Sequence, residues 1–330
     1  MQKFFKAFAK VFFFTILCCS SVYAADITGS GNEVTGTSTT QQNIAGNNTE
    51  VTVKSSATLT RANSTIKTNT HLNATVVVES GASVISTGSN AIQAIDAGTG
   101  LSITNSGTIK AGSSKAINLT DVEKANLINN SGGIIQANTN TISMLESDSD
   151  TTDNITIQNY GTIFATDNSA DGTNTIKSDD DSTNITINNY KGAHIYQTSD
   201  NAVIVLGGSA TLNNSGKVEN KNGTAQNAIT LSGSTGATLN LQNSGIVIGK
   251  INITGSGHNI KVNHGMGQSY YYDTTGTGTY DLEDLDGNII VKGSVGSVAQ
   301  GGNEILDEQL GHKSINLRKS ISKFKRSEQY

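Results

Sequence analysis

No proline and no tryptophan occur in the 330 residues, and the only two cysteines are Cys18 and Cys19. Without proline, no strand position is denied its backbone donor. With both cysteines near the start, the rest of the chain offers neither a disulfide nor a thiolate metal site. Charge is scarce as well: 15% of residues, with a net charge of -5. That balance lacks the basic face of a nucleic-acid binder, so no nucleic-acid partner is expected. Arginine occurs only at Arg61, Arg318 and Arg326. Between 75 and 270 a polysaccharide lyase would therefore find no arginine base. No G-x-S-x-G nucleophile frame is present, and the GTGTG stretches do not open a helix after a strand. His194, His258, His264 and His312 are scattered without metal-ligand spacing.

Asn, Thr, Ser, Gly, Ile and Val dominate what is there. A hydrophobic share of 35% is low for a folded domain, but a disordered chain would favour Pro, Glu and Lys instead. This palette suits short β-strands joined by tight turns. The first residues read differently. Lys3, Lys6 and Lys10 precede the apolar run VFFFTILCC at 11–19, and VYA follows at 22–24. This is the pattern of a secretory signal peptide over 1–24, cut after Ala24. The run is shorter than the ~20 residues needed to span a bilayer, so no transmembrane segment is expected in the mature chain. A lipid-anchor reading at Cys18 or Cys19 fails, because Leu17 and Cys18 stand where a small residue is required.

One frame keeps returning: aliphatic, any residue, Asn, Ser or Tyr, Gly, any residue, aliphatic. It occurs as ITNSGTI at 103–109, INNSGGI at 128–134, IQNYGTI at 157–163, LNNSGKV at 212–218 and LQNSGIV at 241–247, with INNYKGAHI at 187–195 as a longer variant. The asparagines Asn105, Asn130, Asn159, Asn189, Asn214 and Asn243 recur roughly every 25–30 residues, a solenoid period. Two further apolar pulses fall inside each repeat. One resembles NAIQAI (90–95) and NAITL (227–231). The other alternates at period two, as in NITIQN (154–159) and NITINN (184–189). Three strand-like pulses per repeat make one turn of a right-handed parallel β-helix. About eight coils at ~4.8 Å each would give a rod of roughly 40 Å. In this reading the six asparagines point inward and their amides bond along the stack as a ladder. The motif glycines, Gly107, Gly132, Gly161, Gly216 and Gly245, would supply positive φ at a shared corner. The boundaries follow: a signal peptide (1–24), an N-terminal β-rich segment that caps or starts the helix (25–74), the repeats (75–270), a C-terminal cap or hairpin (271–302) and a charged tail of helical or solvated character (303–330).

A cleavable signal followed by Gly/Asn/Thr/Ser-rich repeats carrying Asn-Ser-Gly-x-Ile resembles the passenger domain of a bacterial autotransporter, the type V secretion class, over about residues 26–300. The resemblance implies export across the inner membrane, display at the outer surface or release, and adhesion to a host-cell or matrix protein or glycan. Family members end in a large β-barrel translocator and a terminal aromatic residue. Here nothing after the repeats alternates like barrel strands. The resemblance therefore implies a passenger lacking its barrel, with an outer-membrane translocator in trans or lost, and a periplasmic location if none is available. A β-helical polysaccharide-binding or polysaccharide-degrading protein is the alternative, and the remnant of a split autotransporter gene is another. The expectation is a non-enzymatic scaffold.

Three local features bear on sites. Asp148 and Asp150 in ESDSD, and Asp179, Asp180 and Asp181 in DDD, occupy corresponding places in neighbouring repeats. They would either stack into a Ca²⁺ site, since calcium takes oxygen ligands, or form solvated loops; no other cofactor is indicated. DLEDLDGN (281–288) places Asp284, Asp286 and Asn288 near an EF-hand spacing, but Gly287 comes too early. Asp286-Gly287 reads better as a hairpin turn that caps the helix. Tyr160 and Tyr190 replace the motif serine in adjacent repeats, either as a contact ridge or as simple outside stacking.

Overall fold

The computed structural model describes residues 24–96, 100–145, 152–166, 173–242, 245–265, 270–287, 289–292 and 295–299. The signal segment before residue 24, the tail after residue 299, Asp148, Asp150, Asn243 and Asn288 lie outside them. The fold is an all-β parallel solenoid. Among the described residues there is no helix, hence none long and apolar enough to cross a membrane. Each turn contributes one strand to each of three sheets. The first sheet has 13 strands, the second 11 and the third nine, so nine turns carry all three strands.

Why these residues stack is clearest in the first sheet. Ile66, Ile92, Ile117, Ile142, Ile176, Ile204, Ile229 and Ile251 are successive register partners in parallel strands. All eight are fully buried. A β-branched residue fits a pleated surface, and each buried isoleucine is worth roughly 1.5–3 kcal/mol against exposure. The second sheet adds an inner row through Val76, Ile103, Leu127, Ile157, Ile187, Leu212, Leu239 and Ile260. The third adds Leu59, Val84, Ile109, Ile135, Ile163, Ile195 and Val218. Three such rows meet along the axis as one continuous core. No turn could bury its apolar side alone; stacking supplies the missing surface.

The repeats start earlier than the motif spacing implies. Ala25–Ile27, Gln42–Ile44 and Ile66–Asn69 already lie in the first sheet, and Asn32–Val34 and Glu50–Val53 in the second. Of the two readings of residues 25–74, the segment therefore starts the solenoid and is not a separate cap. At the other end the third sheet stops at Ile246–Ile248, while the other two continue through Lys250–Ile253, His258–Asn263, Tyr270–Thr275 and Tyr280–Asp284. The hairpin also differs from the sequence reading. Tyr280–Asp284 pairs in parallel with His258–Asn263 in the second sheet. The antiparallel pair is Ile289–Lys292 with Val295–Ala299, and the latter strand also pairs with Tyr270–Thr275. Asp286-Gly287, with Gly287 at φ 79°, thus turns the chain from one sheet to another. Asp286 is bound into that crossing: its Oδ2 accepts from Gly265 N at 2.8 Å, and its N–H donates to Asp284 Oδ1 at 2.8 Å.

Candidate functional site

The corner between the second and third sheets organises everything around it. Asn105, Asn129, Asn159, Asn189 and Asn214 end consecutive strands of the second sheet in register. All are buried. Each Nδ2 donates to the next Oδ1: 2.8 Å from Asn105 to Asn129, 2.8 Å to Asn159, 2.9 Å to Asn189 and 2.8 Å to Asn214. The row ends in aliphatic residues, Val78 before it and Leu241 after it. A buried amide without partners is costly, so this chain of amides penalises any slip in register.

Asn130 is not in this row, contrary to the sequence reading. The corner after Asn129 is two residues longer than the one after Asn105, because Thr108 pairs with Ile134. Matching on the glycine therefore shifts the asparagine by one. Asn130 sits outside and donates to Ser106 Oγ at 2.9 Å. The same extra length follows Asn189, where Thr162 pairs with His194.

The glycines divide accordingly. Gly132 has φ 82° and Gly192 has φ 88°, and these are the added residues of the long corners. Gly107, Gly161, Gly216 and Gly245 do not adopt positive φ, which corrects the expectation. They are needed for close approach instead. A Cβ on Gly161 would lie 2.3 Å from the Gly133 carbonyl oxygen and 2.6 Å from that of Asn130. Left-handed backbone at the other corner falls to Asn48, Asn73, Asn154 and Asn184, with φ of 54–56°.

Outside this corner, Tyr160 and Tyr190 stack with ring centroids 4.2 Å apart and planes 2° from parallel. Tyr160 is 40% exposed. The Tyr190 phenol is pushed above its ordinary value, first by its hydrogen bond with Tyr160 and then by burial. A second pair stands on the outer face of the third sheet. Phe164 and Tyr196 are register partners and stack at 4.7 Å. Lys221 Nζ lies 3.4 Å from the Tyr196 ring centroid, a cation–π contact. Glu219 follows Tyr196 in register and Lys217 follows His194. Lys217 Nζ is 2.8 Å and His194 Nε2 3.0 Å from Glu219 Oε2, the latter off the line of a good hydrogen bond. Burial holds the His194 imidazole below its ordinary value, with Glu219 opposing. Burial alone would raise the Glu219 carboxyl, but Lys217 and His194 hold it down. Exposed Ile134 and Ile246 complete the face.

Of the calcium residues, Asp179, Asp180 and Asp181 lie among the described residues. Asp180 accepts from Ser232 Oγ at 2.9 Å, Asp179 Oδ1 from Asp180 N at 3.0 Å, and Asp181 is exposed. No three His, Cys, Asp or Glu side chains there form a group that could hold a metal ion. Phe164, Tyr196, His194 and Glu219 escaped sequence reasoning because their alignment depends on the long corner at 189–194. An alternation count from Ile163 and Ile195 outward would have found them.

No family model, curated protein or solved structure matches this chain. Its class rests on the fold: a three-sheet parallel β-solenoid with a buried asparagine row and an aromatic outer face.

Proposed function

We propose that this chain is an exported, non-enzymatic scaffold, similar to an autotransporter passenger, that adheres through the outer face of its third sheet to a host-cell or matrix protein. The fold is compatible with such a scaffold. The observation that carries the reading is the coincidence of two stacked aromatic pairs, Tyr160/Tyr190 and Phe164/Tyr196, in the same two turns. Aromatic side chains with polar tips are favoured at binding interfaces. Ring edges, phenol groups, Lys221 against Tyr196 and the exposed isoleucines Ile134 and Ile246 make a mixture suited to a protein surface. Export is supported by Lys3, Lys6, Lys10 and the apolar run at 11–19.

The test is binding of the secreted chain to immobilised matrix proteins and to glycans. Saturable binding to a matrix protein, abolished by Tyr160→Ser with Tyr190→Ser and by Phe164→Ser with Tyr196→Ser, is expected, with circular dichroism unchanged. Binding that survives both double substitutions would refute the assignment of this face.

A further inference from the structure

The three sheets end unequally. At the start of the solenoid the first sheet ends on Ala25–Ile27 and the second on Asn32–Val34, with Asp26 and Glu33 exposed on these edges. The third starts on Thr37–Ser38, two polar residues. At the far end the second sheet stops on Tyr280–Asp284, with Asp281 and Glu283 exposed, and the first on Ile289–Lys292, which carries Lys292. Charged side chains are a usual protection of a sheet edge against pairing with another chain. The far end of the third sheet lacks it. Its last strand is Ile246–Ile248, three aliphatic residues without a charge.

The core is also open at this strand. Every earlier member of the inner row, from Leu59 to Val218, is fully buried, but Val247, the register partner of Val218, is only half-buried. On the outer side Ile246 is 50% exposed and Ile248 half-buried. The backbone is equally one-sided. Ile246 N–H donates to the Gly216 carbonyl of the preceding turn at 2.8 Å. Successive residues of a strand turn their backbone groups to opposite edges, so the Val247 N–H and carbonyl face the other way. No strand among the described residues pairs with that edge, whereas the first and second sheets continue beyond it.

We propose that Ile246–Ile248 is a strand-addition site: an extended segment of the adhesion partner pairs with this edge and lengthens the third sheet. The proposal rests on the adhesion reading and names how the protein partner is held. Another extended backbone meets the Val247 donor and acceptor together. Aliphatic side chains on that segment would cover Ile246 and Ile248 outside and Val247 inside. Continuity with the aromatic face identifies the occupant. Ile246–Ile248 pairs with Lys217–Asn220, and that strand with His194–Gln197, which holds Tyr196. A partner anchored at the edge therefore runs across Lys217 and Glu219 toward Tyr196. The first and second sheets overrun the edge, and the body of a second copy would meet them, so the occupant is a single strand of a partner.

The test uses the secreted chain and a short synthetic peptide of alternating valine and threonine, read by fluorescence anisotropy. A second peptide, N-methylated throughout, keeps the side chains and loses the backbone donors. Saturable binding of the first peptide and none of the second is expected. Val247→Pro deletes the open-edge donor and no ladder bond to Lys217–Asn220, and should weaken peptide binding about tenfold. Ile246→Lys, at an exposed position, guards against a folding artefact and should weaken it severalfold with an unchanged melting temperature. Both variants should lose attachment to the matrix protein to the same degree. Full matrix attachment by both variants would overturn strand addition and leave the adhesion reading standing, because that reading fails only if the aromatic double variants attach normally. Absence of peptide binding, equal binding of the two peptides, or full peptide binding by Ile246→Lys would also overturn it. So would a dimer in sedimentation equilibrium that Ile246→Lys dissociates, which would assign the edge to a second copy.

Discussion

Replacing Asn159 by leucine probes the buried amide row at its centre. Leucine fits the position by size, since Leu241 occupies it two turns beyond Asn189. The cost is therefore polar. Asn159 Nδ2 donates to Asn189 Oδ1 at 2.9 Å, and Asn159 Oδ1 accepts from Asn129 Nδ2 at 2.8 Å and Gly161 N at 3.2 Å. The substitution orphans Asn189 Oδ1 and Gly161 N, whereas Asn129 Nδ2 keeps the Gly133 and Thr162 carbonyls. Each orphan costs about 1–3 kcal/mol, and the apolar burial of leucine offsets part of this. A net loss of about 2–3 kcal/mol is expected, or roughly 5 °C in Tm. Asn189→Leu likewise orphans Asn159 Nδ2 and Asn214 Oδ1. The double variant removes both ends of the link between them, so it should cost about 2 kcal/mol less than the sum of the singles. Asn214→Leu, at the end of the row, should cost about 1 kcal/mol or less, because Asn189 Nδ2 retains the Lys217 carbonyl. Thermal melts followed by circular dichroism would measure all four. An unchanged Tm for Asn159→Leu, or strict additivity in the double variant, would refute the reasoning.

Gly161→Ala should destabilise by several kcal/mol, because backbone carbonyls stand in the Cβ position. Gly132→Ala should cost only about 1 kcal/mol, since its positive φ is strained but the space is open; equal losses in denaturant titrations would contradict the distinction. Acidification should lower Tm in two steps. His194 has its folded pKa below the ordinary 6.5, so its neutral form is favoured by folding and stability is lost as pH falls from 6.5 through the folded value. Glu219 lies below the ordinary 4.5, so its contribution is present above 4.5 and lost as pH falls through its folded value. Glu219→Gln should remove the second step in a pH series of melts while retaining the first. Arg61→Met should leave Tm unchanged or raise it, because Arg61 Nε and Nη1 are buried without a hydrogen-bond partner; a loss of several degrees in the same melts would contradict this.

The architecture was legible because isoleucine, valine and leucine recur at period two inside a longer period. NAI and NITI pulses predict strands whatever their loops do. What the motif could not show was where a turn gains or loses residues. Counting from Gly132 gave Asn130, whereas strand pairing gives Asn129, because the corner there is two residues longer. The turns before residue 75 carry no motif for a related reason: Val53, in register with Val78, takes the place of the asparagine, so the frame vanishes although the stacking persists. At Gly107 and Gly161 the sequence showed that glycine is required but not why. Steric crowding from the preceding turn is a long-range fact that no local pattern encodes. The aromatic face was half legible. Tyr160 and Tyr190 share a motif position, but Phe164 and Tyr196 become neighbours only once the long corner is allowed for.

In-register parallel stacking underlies every claim made for the corner and the face, and disulfide trapping tests it directly. Lys110 and Gln136 are register partners on the outer face of the third sheet, whereas Phe164 lies one turn further on. With Cys18 and Cys19 replaced by serine, Lys110→Cys with Gln136→Cys should oxidise readily, because neighbouring strands sit ~4.8 Å apart. Lys110→Cys with Phe164→Cys, at about twice that separation, should remain reduced under the same conditions. The reverse pattern, or equal trapping of both pairs, would contradict the solenoid.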